Sequence, residues 1–244
     1  MRILILVPTY NESASIVKLL DRVTAVRGDL LEAGHEVRLL VIDDNSPDGT
    51  AKLVEGQNLD WVEVLKRPGK SGLGPSYIAG FQWGLDHGFE ILIEMDADLS
   101  HQPEALSDLI EPVLTGEADL TIGTRWMPGG RVVNWPISRQ LISRAGTSYA
   151  RLALGLELRD VTSGYRAFHR RVLAAIDLNQ VESQGYGFQI EMVLTSLRAG
   201  FTIKEVPITF VEREGGVSKM SKKIVLEALW KVTVWGAQRL ILRR

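Results

Sequence analysis

The 244-residue chain contains no cysteine. Without thiols there is no disulfide framework, thiolate nucleophile, zinc finger or iron–sulfur centre, so any catalysis falls to carboxylates, bases, hydroxyls or a hard metal ion. An intracellular setting is left open. Long apolar runs are scarce too. The opening MRILILVPTY is broken by Pro8 too early for a secretory signal or a membrane span, and it reads as a β-strand. The four histidines, His35, His87, His101 and His169, lack metal-ligand spacing, and only His101 lies near other candidate chemistry. Net charge is only −2, from 28 basic and 30 acidic residues, yet it is unevenly placed. From Glu212 onward eight basic residues face three acidic ones, a +5 tail on a −7 body. Such a tail suits a phosphate-bearing substrate or a lipid surface, and no basic–aromatic stripe points to nucleic acid. With 45% hydrophobic residues the chain is that of an ordinary globular protein, which excludes disorder, collagen and coiled coil.

Arg2 to Val7, Val37 to Ile42, Glu90 to Met95 and Ala118 to Ile122 are apolar runs of strand length. Between them Ser13 to Arg27, Thr50 to Glu55, Pro75 to His87 and Pro103 to Leu114 carry helical periodicity. This alternation predicts an α/β fold: a Rossmann-like, mostly parallel sheet with helices on both faces. Ligands bind such sheets at the carboxyl ends of the strands. Farther on, Trp126 to Trp135 is a Pro/Gly-rich loop and Ser138 to Leu154 a helix. Gly164 to Phe168, Val172 to Ile176, Phe188 to Ala199 and Thr202 to Val211 then read as strand, helix, helix, strand. One domain over residues 1–211 is expected, followed by an appendage over 212–244: a loop hinged at Gly215 and Gly216, then a helix from about Lys222 to Leu242. In that helix Glu227, Lys231 and Gln238 form one polar stripe on an apolar surface with two Trp. It reads either as an amphipathic helix at a membrane interface or as a terminal helix packed on the domain or on a second copy.

The first strand ends in Pro8, Tyr10 and Glu12, and the second in Asp43 and Asp44. Acidic residues at neighbouring strand ends can accept hydrogen bonds from ribose hydroxyls or a base N–H, and Tyr10 offers a stacking face. The same residue types also simply build turns. Together they favour a nucleotide cleft. Asp96-Ala97-Asp98 is a sharper signal, because two carboxylates at i and i+2 after a buried strand repel unless a cation lies between them. Oxygen ligands alone select Mg²⁺ or Mn²⁺, bound through one or two carboxylates and a substrate diphosphate. The plainer alternative is a turn with Ser100 as helix cap. Gly69 to Gly74 imitates a phosphate loop, but Val64 and Tyr77 stand where the two glycine-rich motifs need glycine. Asn11-Glu12-Ser13 is a chance glycosylation sequon. Downstream, Arg125, Arg139, Arg144, Arg166, Arg213 and Lys219 supply cations suited to a second, phosphorylated substrate.

VPTYNE, VIDDNSPDGT, GLGPSYIAGFQWGL, MDADLSHQPE, IGTRW, ISRAGT, TSGYRAF, FQIEM and FVEREGGVSKMS together resemble the dolichol-phosphate, or polyprenol-monophosphate, mannose synthases of glycosyltransferase family 2. The match runs from Ile3 to Ser221. The resemblance implies an A-type glycosyltransferase fold and metal-dependent, inverting transfer of mannose from GDP-mannose to a polyprenyl phosphate. It places Pro8, Tyr10, Glu12, Ile42, Asp44 and Ala97 at the nucleotide, and Asp96 and Asp98 at the metal and diphosphate. Arg125, Arg213 and Lys219 would contact phosphates or the sugar donor, and Arg139, Arg144 or Arg166 the acceptor phosphate. Where this chain has Ser100, some relatives carry a metal-ligating Gln; the shorter hydroxyl leaves water to complete the shell. Some relatives also carry C-terminal transmembrane helices, so membrane contact here is expected through the amphipathic tail or a separate anchoring subunit. The implied location is the cytoplasmic face of a membrane, peripherally. A glucosyltransferase using UDP-glucose is the nearest rival. A sugar-nucleotide pyrophosphorylase is a remoter one, since VPTYNE stands where its Gly-rich, basic loop is expected.

Overall fold

The computed structural model describes residues 1–183, 185–213 and 222–242. Arg2–Thr9 (β1) shows how the sheet is built. Ile3, Ile5 and Val7 point to one apolar core while Leu4 and Leu6 point to another, so the strand is buried on both faces and must be apolar throughout. Glu36–Asp43 (β2) repeats the pattern with Val37, Leu39 and Val41 against Leu40 and Ile42. Val62–Lys66 (β3), Ile91–Glu94 (β4), Leu120–Thr124 (β5), Arg166–His169 (β7) and Ile203–Pro207 (β8) complete a seven-stranded sheet among the described residues, ordered β3-β2-β1-β4-β7-β5-β8. Arg131–Val133 (β6) and Thr209–Val211 (β9) pair separately.

All neighbours in the large sheet are parallel except β7, which is antiparallel to both β4 and β5. That reversal matters for the site. The carboxyl ends of β1, β2, β4 and β5 share one edge, and β7 brings its amino end there, with Glu94 opposite Arg166. Residues 162–164 therefore lie beside the turn that follows β4.

Ile16–Glu32 (α1) and Leu106–Leu114 (α4) cover one face, and Leu73–Asp86 (α3) and Tyr186–Arg198 (α7) the other. Thr50–Glu55 (α2) and Arg170–Ala175 (α6) are short connectors. Glycine sets how closely α3 approaches. A Cβ on Gly80 would stand 2.5 Å from Ile42 Cδ1, and one on Gly84 2.5 Å from Leu92 Cδ2. Spaced four apart, the two lie on one helix face and let it rest on the sheet.

Ile137–Leu154 (α5), α7 and Lys222–Leu242 (α8) share a third core of Ala150, Leu154, Ile190, Leu194 and Val232. α5 and α8 cross closely, since a Cβ on Gly236 would lie 2.9 Å from the Ala153 carbonyl oxygen. Tyr149 and Thr233 share a hydrogen bond across the crossing at 2.6 Å. The expected polar stripe on α8 is corrected here. Lys231 turns inward and donates to Ser183 Oγ at 2.8 Å, whereas Leu226 and Trp230 face outward, 66% and 69% exposed. Residues 214–221, with the expected glycine hinge and Lys219, lie outside the described residues.

Glycine replacements separate packing from propensity. Gly84→Val should lower stability by about 1–3 kcal/mol through overpacking. Gly28→Ala, exposed within α1 with nothing near its Cβ, should raise it by about 0.5–1 kcal/mol. Urea denaturation of both variants checks the pair, and equal losses would contradict it.

Candidate functional site

At the shared strand edge the chain leaves a cleft of about 530 Å³. Pro8 lies at the end of β1, Tyr10 and Glu12 follow it and Asp44 follows β2, and all four line one end. The ring of Tyr10 carries the Lys70 ammonium over its face, 4.5 Å from the centroid. Asp44 is already engaged: it accepts from Arg67 Nη1 at 2.7 Å, the Ser71 amide at 3.1 Å and the Ser76 hydroxyl. It thereby fixes the Gly-rich loop over the cleft as well as contributing to its wall.

β4 delivers Asp96, Ala97 and Asp98 to the middle of the cleft. The turn requires Leu99 at φ +64°, a left-handed conformation that costs a bulky residue energy and holds the two carboxylates on one side. His101, fully buried, accepts the Asp96 amide N–H on Nδ1 at 3.0 Å and stacks on Tyr165 at 4.8 Å. Burial keeps this imidazole neutral, as the accepted hydrogen bond requires. Ser100 donates both its amide, at 3.1 Å, and its hydroxyl to Asp98 Oδ1. Arg213 Nη2 stands 3.3 Å from Asp98 Oδ2. Desolvation first, and the Asp98 carboxylate second, raise the Asp96 pKa well above the usual carboxylate range. Such a pair suits a hard dication. No group of three or more metal-ligating side chains occurs among the described residues, so two carboxylates fit a metal completed by substrate phosphate and water.

The far end is cationic and aromatic. Arg125, after β5, forms a buried bidentate pair with Asp160 at 2.7 and 2.8 Å and also donates to Thr162 Oγ1. Its guanidinium lies about 5.5 Å from the rings of Trp126, Trp135 and Phe210. Arg139 stacks on Trp135 at 4.1 Å and meets the Glu212 carboxylate.

The cleft thus brings together Pro8, Tyr10, Glu12, Asp44, Asp96, Ala97, Asp98, Ser100, Arg125, Arg139 and Arg213. Three sequence-predicted residues lie elsewhere. Ile42 is buried in the core beneath α3. Arg144 is exposed and covers Trp126 at 4.6 Å. Arg166 is fully buried and donates to the carbonyls of Ser163, Gln189 and Val161 at 2.7–2.8 Å. Its expected role on an acceptor phosphate is corrected: every donor group is spent on tying the loop before β7 to α7. Asp160, Trp135, Phe210, Ser163 and Gln189 were not singled out in the sequence. Ser163 and Gln189 lie within the quoted segments TSGYRAF and FQIEM, but Asp160 and Gln189 meet their partners Arg125 and Glu94 only in the fold, 35 and 95 residues away.

Residues 4–177 match the profile of Glycosyl transferase family 2. The undecaprenyl-phosphate mannosyltransferase of Micrococcus luteus is 53% identical over 238 residues, 97% of this chain and 94% of that protein. The polyprenol monophosphomannose synthase of Mycolicibacterium smegmatis is 48% identical over 96% of this chain and 87% of its own. Among solved structures, glucosyl-3-phosphoglycerate synthase from Mycobacterium tuberculosis, in complex with Mn²⁺, UDP-glucose and phosphoglyceric acid, superimposes with a TM-score of 0.67 at 20% identity. It covers 95% of this chain and 79% of that one, and at this identity the likeness establishes the shared fold. That fold is the A-type glycosyltransferase architecture, and the chain belongs to glycosyl transferase family 2.

Proposed function

We propose that the protein transfers mannose from GDP-mannose to a polyprenyl phosphate with inversion at the anomeric carbon. The relatives at 53% and 48% identity are named for mannose transfer to undecaprenyl phosphate and for synthesis of polyprenol monophosphomannose. One feature of the cleft carries the assignment: its arginine–tryptophan end opens at Arg139 onto the first turn of α5, where Ile137, Leu141 and Ile142 are 62–76% exposed. A site that passes from carboxylates through arginines to bare hydrocarbon matches a phosphate carried on a lipid chain.

In this reading Pro8, Tyr10, Glu12 and Asp44 hold the nucleoside, with Ala97 beneath it. Asp96 and Asp98 hold Mg²⁺ or Mn²⁺, which when bound neutralises the diphosphate of the donor. Arg213, which stands beside Asp98, and Lys219, outside the described residues, would meet the departing phosphate. Arg139 receives the acceptor phosphate, with Arg144 at the rim. Because the acceptor oxygen is already anionic, attack needs orientation and exclusion of water more than a general base. The C1–O bond to the nucleoside diphosphate breaks as the C1–O bond to the acceptor forms, and no enzyme-bound sugar is needed.

We also infer that α5 and α8 rest together on a lipid surface. Ile137, Leu141, Ile142, Tyr149 and Leu152 recur on one side of α5, bordered by Arg139 on one edge and Arg144 and Arg151 on the other. Leu226, Leu229, Trp230 and Ile241 are exposed on α8. No helix among the described residues is long and apolar enough to cross a bilayer.

With labelled GDP-mannose, Mn²⁺ and polyprenyl phosphate the purified protein should yield a chloroform-soluble mannolipid, and Asp98→Ala should lose about 10²–10³-fold or more in turnover. Lipid product from UDP-glucose instead would favour the glucosyl reading. Ile142→Glu with Leu152→Glu should reduce flotation with anionic vesicles about 10-fold or more, since each charge replaces apolar contact with the interface. The same variant should spare turnover of a short, water-soluble prenyl phosphate; unchanged flotation would remove the lipid-surface assignment.

A further inference from the structure

Among the described residues that line the cleft, three buried polar atoms have no partner: Nε1 of Trp135 at the arginine end and, beside the acidic turn, Oε1 of Gln189 and the hydroxyl of Ser163. Gln189 and Ser163 are only 2% and 3% exposed, so bulk water does not serve them. Native folds seldom leave such groups unpaired except where a ligand pairs them.

Gln189 is clamped at both ends. Its main-chain carbonyl accepts from Arg166 Nη1 at 2.7 Å, and its Nε2 donates to Glu94 Oε2 at 2.9 Å, which turns Oε1 away from that carboxylate. A carboxamide held this way keeps one orientation. Its place is defined as well. Glu94 precedes Asp96 by two residues, and a Cβ on Gly164 would stand 3.5 Å from Gln189 Nε2 and 3.7 Å from His101 Cε1, the ring that anchors the Asp96 amide. Gln189, Ser163 and the bare backbone of Gly164 therefore form one patch beside the acidic turn. In the strand order this patch lies at β7, across β4 from the Tyr10 and Asp44 end.

The unpartnered atoms are neutral. Oε1 only accepts, and Oγ both donates and accepts, so the pair fits hydroxyls, whereas phosphate is better met by the arginines at either side. We infer that Gln189 Oε1 and Ser163 Oγ bind ring hydroxyls of the hexose carried by the sugar nucleotide, which makes Gln189 a specificity-determining residue. This rests on the cleft being a glycosyl-transfer site.

The test compares calorimetric binding of GDP-mannose and GDP, each with Mn²⁺, to wild type, Gln189→Met and Ser163→Ala. Each substitution should weaken GDP-mannose about 10- to 100-fold and leave GDP unchanged. Wild type should also bind GDP-mannose lacking one ring hydroxyl correspondingly less tightly, and Gln189→Met should not distinguish it from the parent sugar. Ser163→Ala, a one-atom deletion, serves where Gln189→Met folds poorly. Equal weakening of GDP and GDP-mannose, or undiminished discrimination against the deoxy sugar in both variants, overturns the inference. Absence of mannolipid product would instead remove the mannosyl reading; the same comparison run with UDP-glucose and UDP then decides the role of the patch.

Discussion

The site depends on one reversed strand. Parallel strands deliver only carboxyl-terminal loops to a ligand edge, and each such loop is followed by a crossover that leads the chain away. By inserting β7 antiparallel between β4 and β5, the fold brings an amino-terminal approach, Thr162 to Gly164, against the Asp96 turn and next to Arg125. Arg166 secures this junction from within. A guanidinium buried without a carboxylate contact is expensive, and burial lowers its pKa to about 10, yet its three carbonyl acceptors make it a tie that holds the approach in register with α7.

Charge in the cleft is already paired before any substrate arrives. Asp98 faces Arg213, Glu212 faces Arg139, Asp160 holds Arg125 and Asp44 holds Arg67. The last two pairs are buried and rigid, so they shape the walls. The first two are exchangeable. Glu212 and Arg213 are consecutive, so one short segment after β9 supplies a partner both to Arg139 and to Asp98.

Much of the fold was legible because the doubly buried strands cannot hide. β1, β2, β4 and β5 announce themselves as apolar runs, and the acidic turn follows one of them. β3 escaped since Val62 and Val64 alternate with Glu63 and end in Lys66, an edge pattern with half-buried residues, and β6 is three residues inside a Pro/Gly-rich loop. The nucleotide end was readable because its residues cluster within short segments. The arginines were not sorted by their sequence. Arg125, Arg139 and Arg166 look alike in a string, and only their partners in the fold distinguish a guanidinium paired with a carboxylate at the cleft from one spent on carbonyls. Gln189 lay inside the quoted FQIEM segment, but nothing there assigned it a role; its significance arises from Glu94, which lies 95 residues away.

The C-terminal helix shows why amphipathicity read by charge alone misleads. Lys231 was read with Glu227 and Gln238 as one polar stripe; its ammonium bonds Ser183 of the domain, while apolar Leu226, Leu229 and Trp230 are exposed. Spacing alone shows that polar residues share a stripe but not which way the stripe faces, since that depends on what the helix packs against. α5 also exposes apolar residues, with arginines bordering them and small residues toward α8, where Ala153 meets Gly236. The close crossing of the two helices makes their outward apolar residues one continuous surface rather than two separate stripes. That surface begins at Ile137, two residues before Arg139 in the cleft wall, so the exposed apolar side and the arginine end of the cleft share an edge.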